Sequence, residues 1–214
     1  MKVGVIDYGV GNLGSVLRAL ETVGVAPQLL ARPEDLREAD RLVLPGVGNF
    51  RDCVRLLEAG AWPQALREQV LGSGKPLLGI CVGMQLLASS STEGADAEGA
   101  LETPGLDFVP GRVENLRRLG CGLRVPHVGW NEVTSTPGER GLFVGIPDCT
   151  DFYFVHSYAF VPENPADLLA TTHYGITIAA AVRRNQVWGT QFHPEKSSRA
   201  GFRLLRNFVE APAC

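Results

Sequence analysis

Short, largely apolar runs, spaced by amphipathic segments, constrain this chain more than any other feature. Residues 3–7, 26–30, 41–44 and 76–80 are such runs, and between them lie helical patterns. The first pattern places Leu13, Val16, Leu17, Leu20 and Val23 on one face and closes at Gly24; two more cover 50–58 and 63–71, and another begins over 84–90. A strand with no polar face must be covered on both sides. The arrangement therefore predicts an α/β fold in three layers, a mostly parallel central sheet between helices. The second half reads differently. Residues 91–105 are polar and Gly-rich, a surface loop, and short β-type runs follow at 112–116, 151–155, 168–172, 178–183 and 187–191 before a last helix over 198–210. A smaller, more antiparallel β region is expected there. No linker or repeat interrupts the 214 residues, so one domain over 1–214 is expected.

Bulk properties exclude several classes. A net charge of −3 with 45% hydrophobic and 20% charged residues is ordinary for a globular enzyme and gives no reason to expect nucleic acid or an anionic membrane. No run of about 18 apolar residues suggests a membrane span, and the N-terminus reads as a strand rather than a signal peptide. Five cysteines (Cys53, Cys81, Cys121, Cys149 and Cys214) at irregular spacings, with no CxxC, suggest neither a disulfide framework nor zinc. His127, His156 and His173 show no metal-ligand spacing, so no metal site is expected, and reduced thiols imply a cytosolic protein.

Four segments bear on chemistry. Gly9-Val10-Gly11-Asn12-Leu13-Gly14 matches GxGxxG between a strand and a helix, the setting of a dinucleotide fingerprint. The acid that should end the second strand is missing; Arg32 stands there, with Glu34 late. A structural turn or a partner-contact loop is favoured over a nucleotide site. Gly79-Ile80-Cys81-Val82-Gly83 puts a nucleophile between glycines, after a buried strand and before a helix, the layout of a nucleophile elbow. A helix start there favours thiolate and offers N–H groups to an oxyanion. Gln191-Phe192-His193-Pro194-Glu195 ends a strand and supplies a base with a carboxylate to orient it. Pro45-Gly46-Val47-Gly48 closes another strand, and its glycines let peptides reorient toward an oxyanion. A buried inert cysteine, a hydrogen-bonded surface histidine and an ordinary loop explain each part alone; only the set Cys81, His193, Glu195 makes a complete triad. His156 ends a strand and either lines the site or packs in the core.

PGVGNF, GICVGMQLL and GTQFHPEKS, in that order, resemble the class I (triad) glutamine amidotransferases. DYGVGNLGSV, PHVGWNEV and YFVHSY narrow the resemblance to the glutaminase subunits of imidazole glycerol phosphate synthases, over residues 3 to about 208. The resemblance implies a flavodoxin-like amidotransferase fold and no cofactor. It makes Cys81 the nucleophile, His193 the acid/base and Glu195 its orienting partner. Backbone N–H groups of Val82 and of the Val47–Gly48 region would form the oxyanion hole, and Gly48, Gln85, Glu93, Ser157 and Tyr158 would contact glutamine. Asn12, Trp130 and Lys196 would face a separate (β/α)8-barrel cyclase subunit, in a heterodimer that passes ammonia between its active sites. The family's usual Leu after the nucleophile is Val82 here, a change that leaves the backbone N–H in place. A triad subunit of another synthase, a dinucleotide-binding protein and a regulatory module with inert Cys81 are the alternatives.

Overall fold

A computed structural model describes residues 1–94, 102–136, 138 and 141–212. In chain order the elements are β1 (Val3–Ile6), α1 (Leu13–Thr22), β2 (Pro27–Leu30), β3 (Arg41–Gly46), α2 (Phe50–Ala59), α3 (Trp62–Arg67), β4 (Leu77–Cys81) and α4 (Val82–Gln85). There follow β5 (Ser90–Ser91), β6 (Thr103–Pro104), β7 (Gly111–Asn115), β8 (His127–Ser135), β9 (Thr150–His156) and β10 (Tyr158–Pro162). The chain ends with β11 (Leu168–His173), β12 (Thr177–Arg184), β13 (Val187–Thr190) and α5 (Ser198–Glu210).

Nine strands make one sheet in the order β2-β1-β3-β4-β13-β12-β11-β8-β9, and β10-β7-β5-β6 form a second. From β2 to β13 every pairing is parallel. From β13 outward every pairing is antiparallel. The expected antiparallel region is thus in part the continuation of the main sheet. β1, β3 and β4 are buried at every position, as their largely apolar runs require, with Arg41 at the start of β3 the one charged residue among them. From β1 the chain first steps outward to β2 and then back past β1 to β3 and β4. Right-handed crossovers on those opposite steps put α1 on one face and α2 with α3 on the other. α5 packs on α1. The reversal between β1 and β3 opens a crevice at the strand ends, where open α/β sheets place their sites.

Two helical expectations change. The pattern over 63–71 forms α3, then widens into a π turn over Glu68–Gly72. The helix expected over 84–90 instead begins at Val82 and stops at Gln85. The carbonyls of Leu86, Leu87 and Ala88 accept N–H groups of Leu106, Phe108, Val109 and Asp107, so a neighbouring segment takes the acceptors a longer helix would use. Part of the loop at 91–105 and Cys214 lie outside the described residues.

Candidate active site

Cys81 closes β4 with φ 56° and ψ −113°, a conformation that L-residues avoid and that costs on the order of 1–3 kcal/mol. Glycines enforce it. A Cβ on Gly79 would stand 2.5 Å from the Gly83 carbonyl oxygen, one on Gly83 1.9 Å from that of Leu44, and one on Gly46 2.5 Å from the Gly83 nitrogen. The elbow can therefore press against the end of β3 only because three side chains are missing. The following α4 has four residues, so its dipole is that of a single turn. What the elbow offers is chiefly the N–H groups that a first helical turn leaves without internal partners.

β13 delivers the second half of the site. His193 and Glu195 flank Pro194 in a 3-10 turn over Pro194–Lys196, and His193 Nδ1 lies 2.8 Å from Glu195 Oε1. Both side chains are almost fully buried. Ser197 fixes the turn: its hydroxyl donates to the His193 carbonyl at 2.6 Å and accepts the Tyr153 N–H at 3.0 Å. Because Glu195 accepts through Oε1, Nδ1 carries the proton and Nε2 is left as the base. Nε2 is buried and has no hydrogen-bond partner among the described residues. Burial pulls the His193 pKa down, but the Cys81 sulfur and Glu195 outweigh it and raise the value to about 9, so Nε2 readily takes the Cys81 proton and holds it beside the thiolate.

Cys81 and His193 line one cleft of about 300 Å³, together with Val47, Gly48, Val82, Gln85, Glu93, Ser157 and Tyr158. Every residue expected at the oxyanion or the substrate is thus on its wall, and Glu195 sits behind His193. Gln85 is buried, and its Nε2 donates to the Tyr158 carbonyl at 3.1 Å and to Gln191 Oε1 at 3.0 Å. Glu93 accepts the Phe50 N–H at 2.8 Å; burial pushes its carboxyl up, against that hydrogen bond and toward the neutral form. The loop after β3 is braced from below by the Asn49 cap, whose Oδ1 accepts the Arg51 N–H at 2.9 Å. The buried Cys53 thiol adds a donor to the Val47 carbonyl at 3.5 Å.

The GxGxxG loop has a different role from that of a nucleotide fingerprint. Gly11 stands where a Cβ would meet Pro45 at 3.2 Å, and Asn12 Nδ2 donates to Glu195 Oε1 at 3.3 Å. Arg32, where a ribose-binding acid would stand, pairs with Asp35 at 2.9 Å. Asn12, expected on a partner face, thus also touches the triad carboxylate. Trp130 is half exposed and meets Tyr153 edge-on at 5.9 Å; Lys196 Nζ lies 5.9 Å above the same ring. Val128 and Val155, cross-strand partners on β8 and β9, extend this exposed face.

The sequence leaves His156 open between the site and the core and carries no sign of its contact with His127. His127 Nδ1 lies 3.0 Å from His156 Nε2, and His156 Nδ1 is 2.8 Å from the Tyr158 carbonyl. That carbonyl can only accept, so His156 donates through Nδ1, and in its neutral form it accepts the His127 Nδ1–H through Nε2. Burial lowers the His156 pKa to about 3, with His127 and His193 adding to the effect, and burial lowers His127 as well. His156 both lines the cleft and packs. Among the described residues no group of three or more His, Cys, Asp or Glu is arranged for a metal, and no helix is long and apolar enough to cross a membrane.

The family model for class-I glutamine amidotransferases matches residues 4–211. The chain is 46% identical over 208 residues to the imidazole glycerol phosphate synthase subunit HisH of Moorella thermoacetica, covering 97% of this chain and 94% of that one. It is 42% identical over 213 residues to the subunit of the same name from Geobacter sulfurreducens, with 98% of each covered. A crystal structure of a glutamine amidotransferase superposes with a TM-score of 0.73 at 23% identity over 97% of both chains, a likeness of fold.

Proposed function

The chain belongs to the class-I glutamine amidotransferases, and from that premise we propose that it is the glutaminase subunit of an imidazole glycerol phosphate synthase, making ammonia for a cyclase subunit in histidine biosynthesis. The observation that carries the chemistry is one cleft holding the Cys81 thiol beside a buried imidazole whose far nitrogen is fixed 2.8 Å from a carboxylate. That pairing suits proton transfer from sulfur to His193 Nε2, with Glu195 steadying the imidazolium.

The Cys81 thiolate attacks the glutamine carboxamide carbon. A C–S bond forms and the carbonyl π pair moves to oxygen, where N–H groups of Val82 and of the Val47–Gly48 region receive it. His193 returns its proton to the leaving nitrogen, the C–N bond breaks, and ammonia departs from a γ-glutamyl thioester. Water then adds to the thioester and yields a proton to His193; the C–S bond breaks, releasing glutamate, and that proton restores the thiol. Gly48, Gln85, Glu93, Ser157 and Tyr158 hold the substrate. No cofactor is needed, because sulfur, imidazole and water supply every bond made.

We read residues 1–214 as one amidotransferase domain acting in the cytoplasm, where its nucleophile stays reduced. The partner is a (β/α)8-barrel chain forming a heterodimer over Trp130, Lys196 and the loop carrying Asn12. A closed passage between the two sites delivers ammonia before bulk water protonates it. Activity alone is low and rises when the partner binds its ribonucleotide, through reorientation of a peptide in the Pro45–Gly48 strand. The test is glutamate release by the chain alone and with the cyclase and its ligand, with Cys81→Ala as control. Stimulated activity lost in the variant supports both nucleophile and partner. Activity indifferent to that partner overturns the assignment to this synthase, and activity surviving in Cys81→Ala overturns the nucleophile.

A further inference from the structure

Gln191 is fully buried, directly after β13, and its backbone N–H still bonds the Ala180 carbonyl at 2.8 Å. A carboxamide in that place is costly to bury unless its donors and acceptor are used, whereas an aliphatic side chain would pack without that demand. Its neighbours fix which way it points. The Tyr158 carbonyl can only accept, so the Gln85 atom 3.1 Å from it is nitrogen, and the same nitrogen donates to Gln191 at 3.0 Å. The Gln191 atom facing Gln85 is therefore its oxygen. Its Nε2 is then turned to the Cys81 sulfur, 3.9 Å away, which is its one hydrogen-bond partner among the described residues.

On another side of the sulfur, the Val155 carbonyl oxygen lies 3.9 Å away. The sulfur thus sits between an acceptor that suits S–H and a donor that suits S⁻. We propose that Gln191 is a further catalytic residue, whose carboxamide N–H holds the Cys81 sulfur as its proton leaves for His193. When that proton crosses to Nε2, the Val155 carbonyl loses its donor and the Gln191 amide gains a charged acceptor. The contact is long in the resting site and shortens as charge develops on sulfur, as hydrogen bonds to reacting groups do. Gln85 serves the same end at one remove, since it keeps the Gln191 amide from flipping.

The proposal rests on Cys81 being the nucleophile, and the experiment separates the two. In the assembled complex, iodoacetamide alkylation of Cys81 is followed by mass spectrometry across pH for wild type, Gln191→Met and Gln191→Glu, beside glutaminase kcat and KM. Methionine keeps the volume and removes the donor. Its alkylation profile should move up by about one pH unit, tenfold in rate at neutral pH, with kcat falling about tenfold or more and KM nearly unchanged. Glutamate, which sets a carboxylate against the thiolate, should fall further. A merely structural amide would lower thermal stability and leave the alkylation profile where it was, and that result overturns the proposal. Should the variants not fold, the Gln191 side-chain amide resonance of the wild type decides. It should titrate with the midpoint of Cys81 alkylation, and a resonance that does not move overturns the idea. If Cys81→Ala keeps glutaminase activity, the nucleophile assignment fails first. If Cys81→Ala is dead and the Gln191 variants match wild type, only the role of Gln191 fails.

Discussion

Replacing Gly201 by alanine should injure the triad from outside the cleft. A Cβ at Gly201 would lie 1.9 Å from the Pro194 carbonyl oxygen, where ordinary contact begins near 3.4 Å, so about 1.5 Å must be found. Either α5 retreats or the Pro194–Lys196 turn does. The helix is the harder to move. Leu204, Leu205 and Phe208 are fully buried, and Asn207 Nδ2 donates to the Leu142 and Val144 carbonyls at 2.7 and 2.8 Å. The turn has three residues and carries Glu195, so most of the displacement falls on the carboxylate that orients His193. Overpacking of this kind costs roughly 1–3 kcal/mol of stability, and a misplacement of about 1 Å at a reacting group costs on the order of 100-fold in rate. The loss in kcat should therefore exceed what the modest fall in Tm implies. Steady-state glutaminase assays with the partner present, beside calorimetry of the same samples, read both. A Gly201→Ala chain with wild-type kcat would show that the helix yields and that the turn is not rigidly clamped, which would refute the reasoning.

Stability should peak near pH 6.5 and fall on both sides. His193 has its pKa raised from 6.5 to about 9, so its contribution is complete below 6.5 and is lost as pH rises through 9; His156, lowered to about 3, contributes fully above 6.5 and loses that as pH falls toward 3. Urea midpoints measured across pH check this, and an alkaline slope unchanged in His193→Gln would sink the first half. Asn12→Ala removes the 3.3 Å donor to Glu195, and stimulated kcat should drop roughly fivefold, the worth of about 1 kcal/mol. Unaltered kcat at saturating partner would mean the loop serves docking alone. Trp130→Ala should weaken partner affinity by about 2 kcal/mol, roughly 30-fold, with little change in Tm, because the ring is half exposed. Equal titration curves for both chains would move the interface elsewhere.

The parallel half of the fold is legible because its strands carry one message at every residue: Leu42, Val43 and Leu44, or Leu77, Leu78 and Ile80, can only be covered on both faces. α5 announces itself through Phe202, Leu205 and Val209 at helical spacing; Leu205 and Val209 are buried, and Phe202 packs half-buried against the core. β8 was not legible. It alternates buried His127 and Val133 with exposed Val128 and Trp130, a pattern without the usual contrast between apolar and polar faces. The shortness of α4 is hidden for another reason, since residues 105–109 take the carbonyls of residues 86–89 that a longer helix would use. In the site, the chemical types of Cys81, His193 and Glu195 are written in the sequence. The contacts of Asn12 with Glu195 and of His127 with His156 are not, because each joins residues that only the folded sheet brings together.

The pairing of β4 with β13 also orders events during synthesis. Nearly half of the chain separates these neighbours, so Cys81 leaves the ribosome long before the strand that leads to His193. An unfinished chain holds a thiol without an imidazole and cannot cut glutamine. β13 is also the seam through which β12, and beyond it the β8–β9 face, joins the rest of the sheet. Its insertion thus brings His193 and Glu195 to Cys81 and attaches the β8–β9 face in one step.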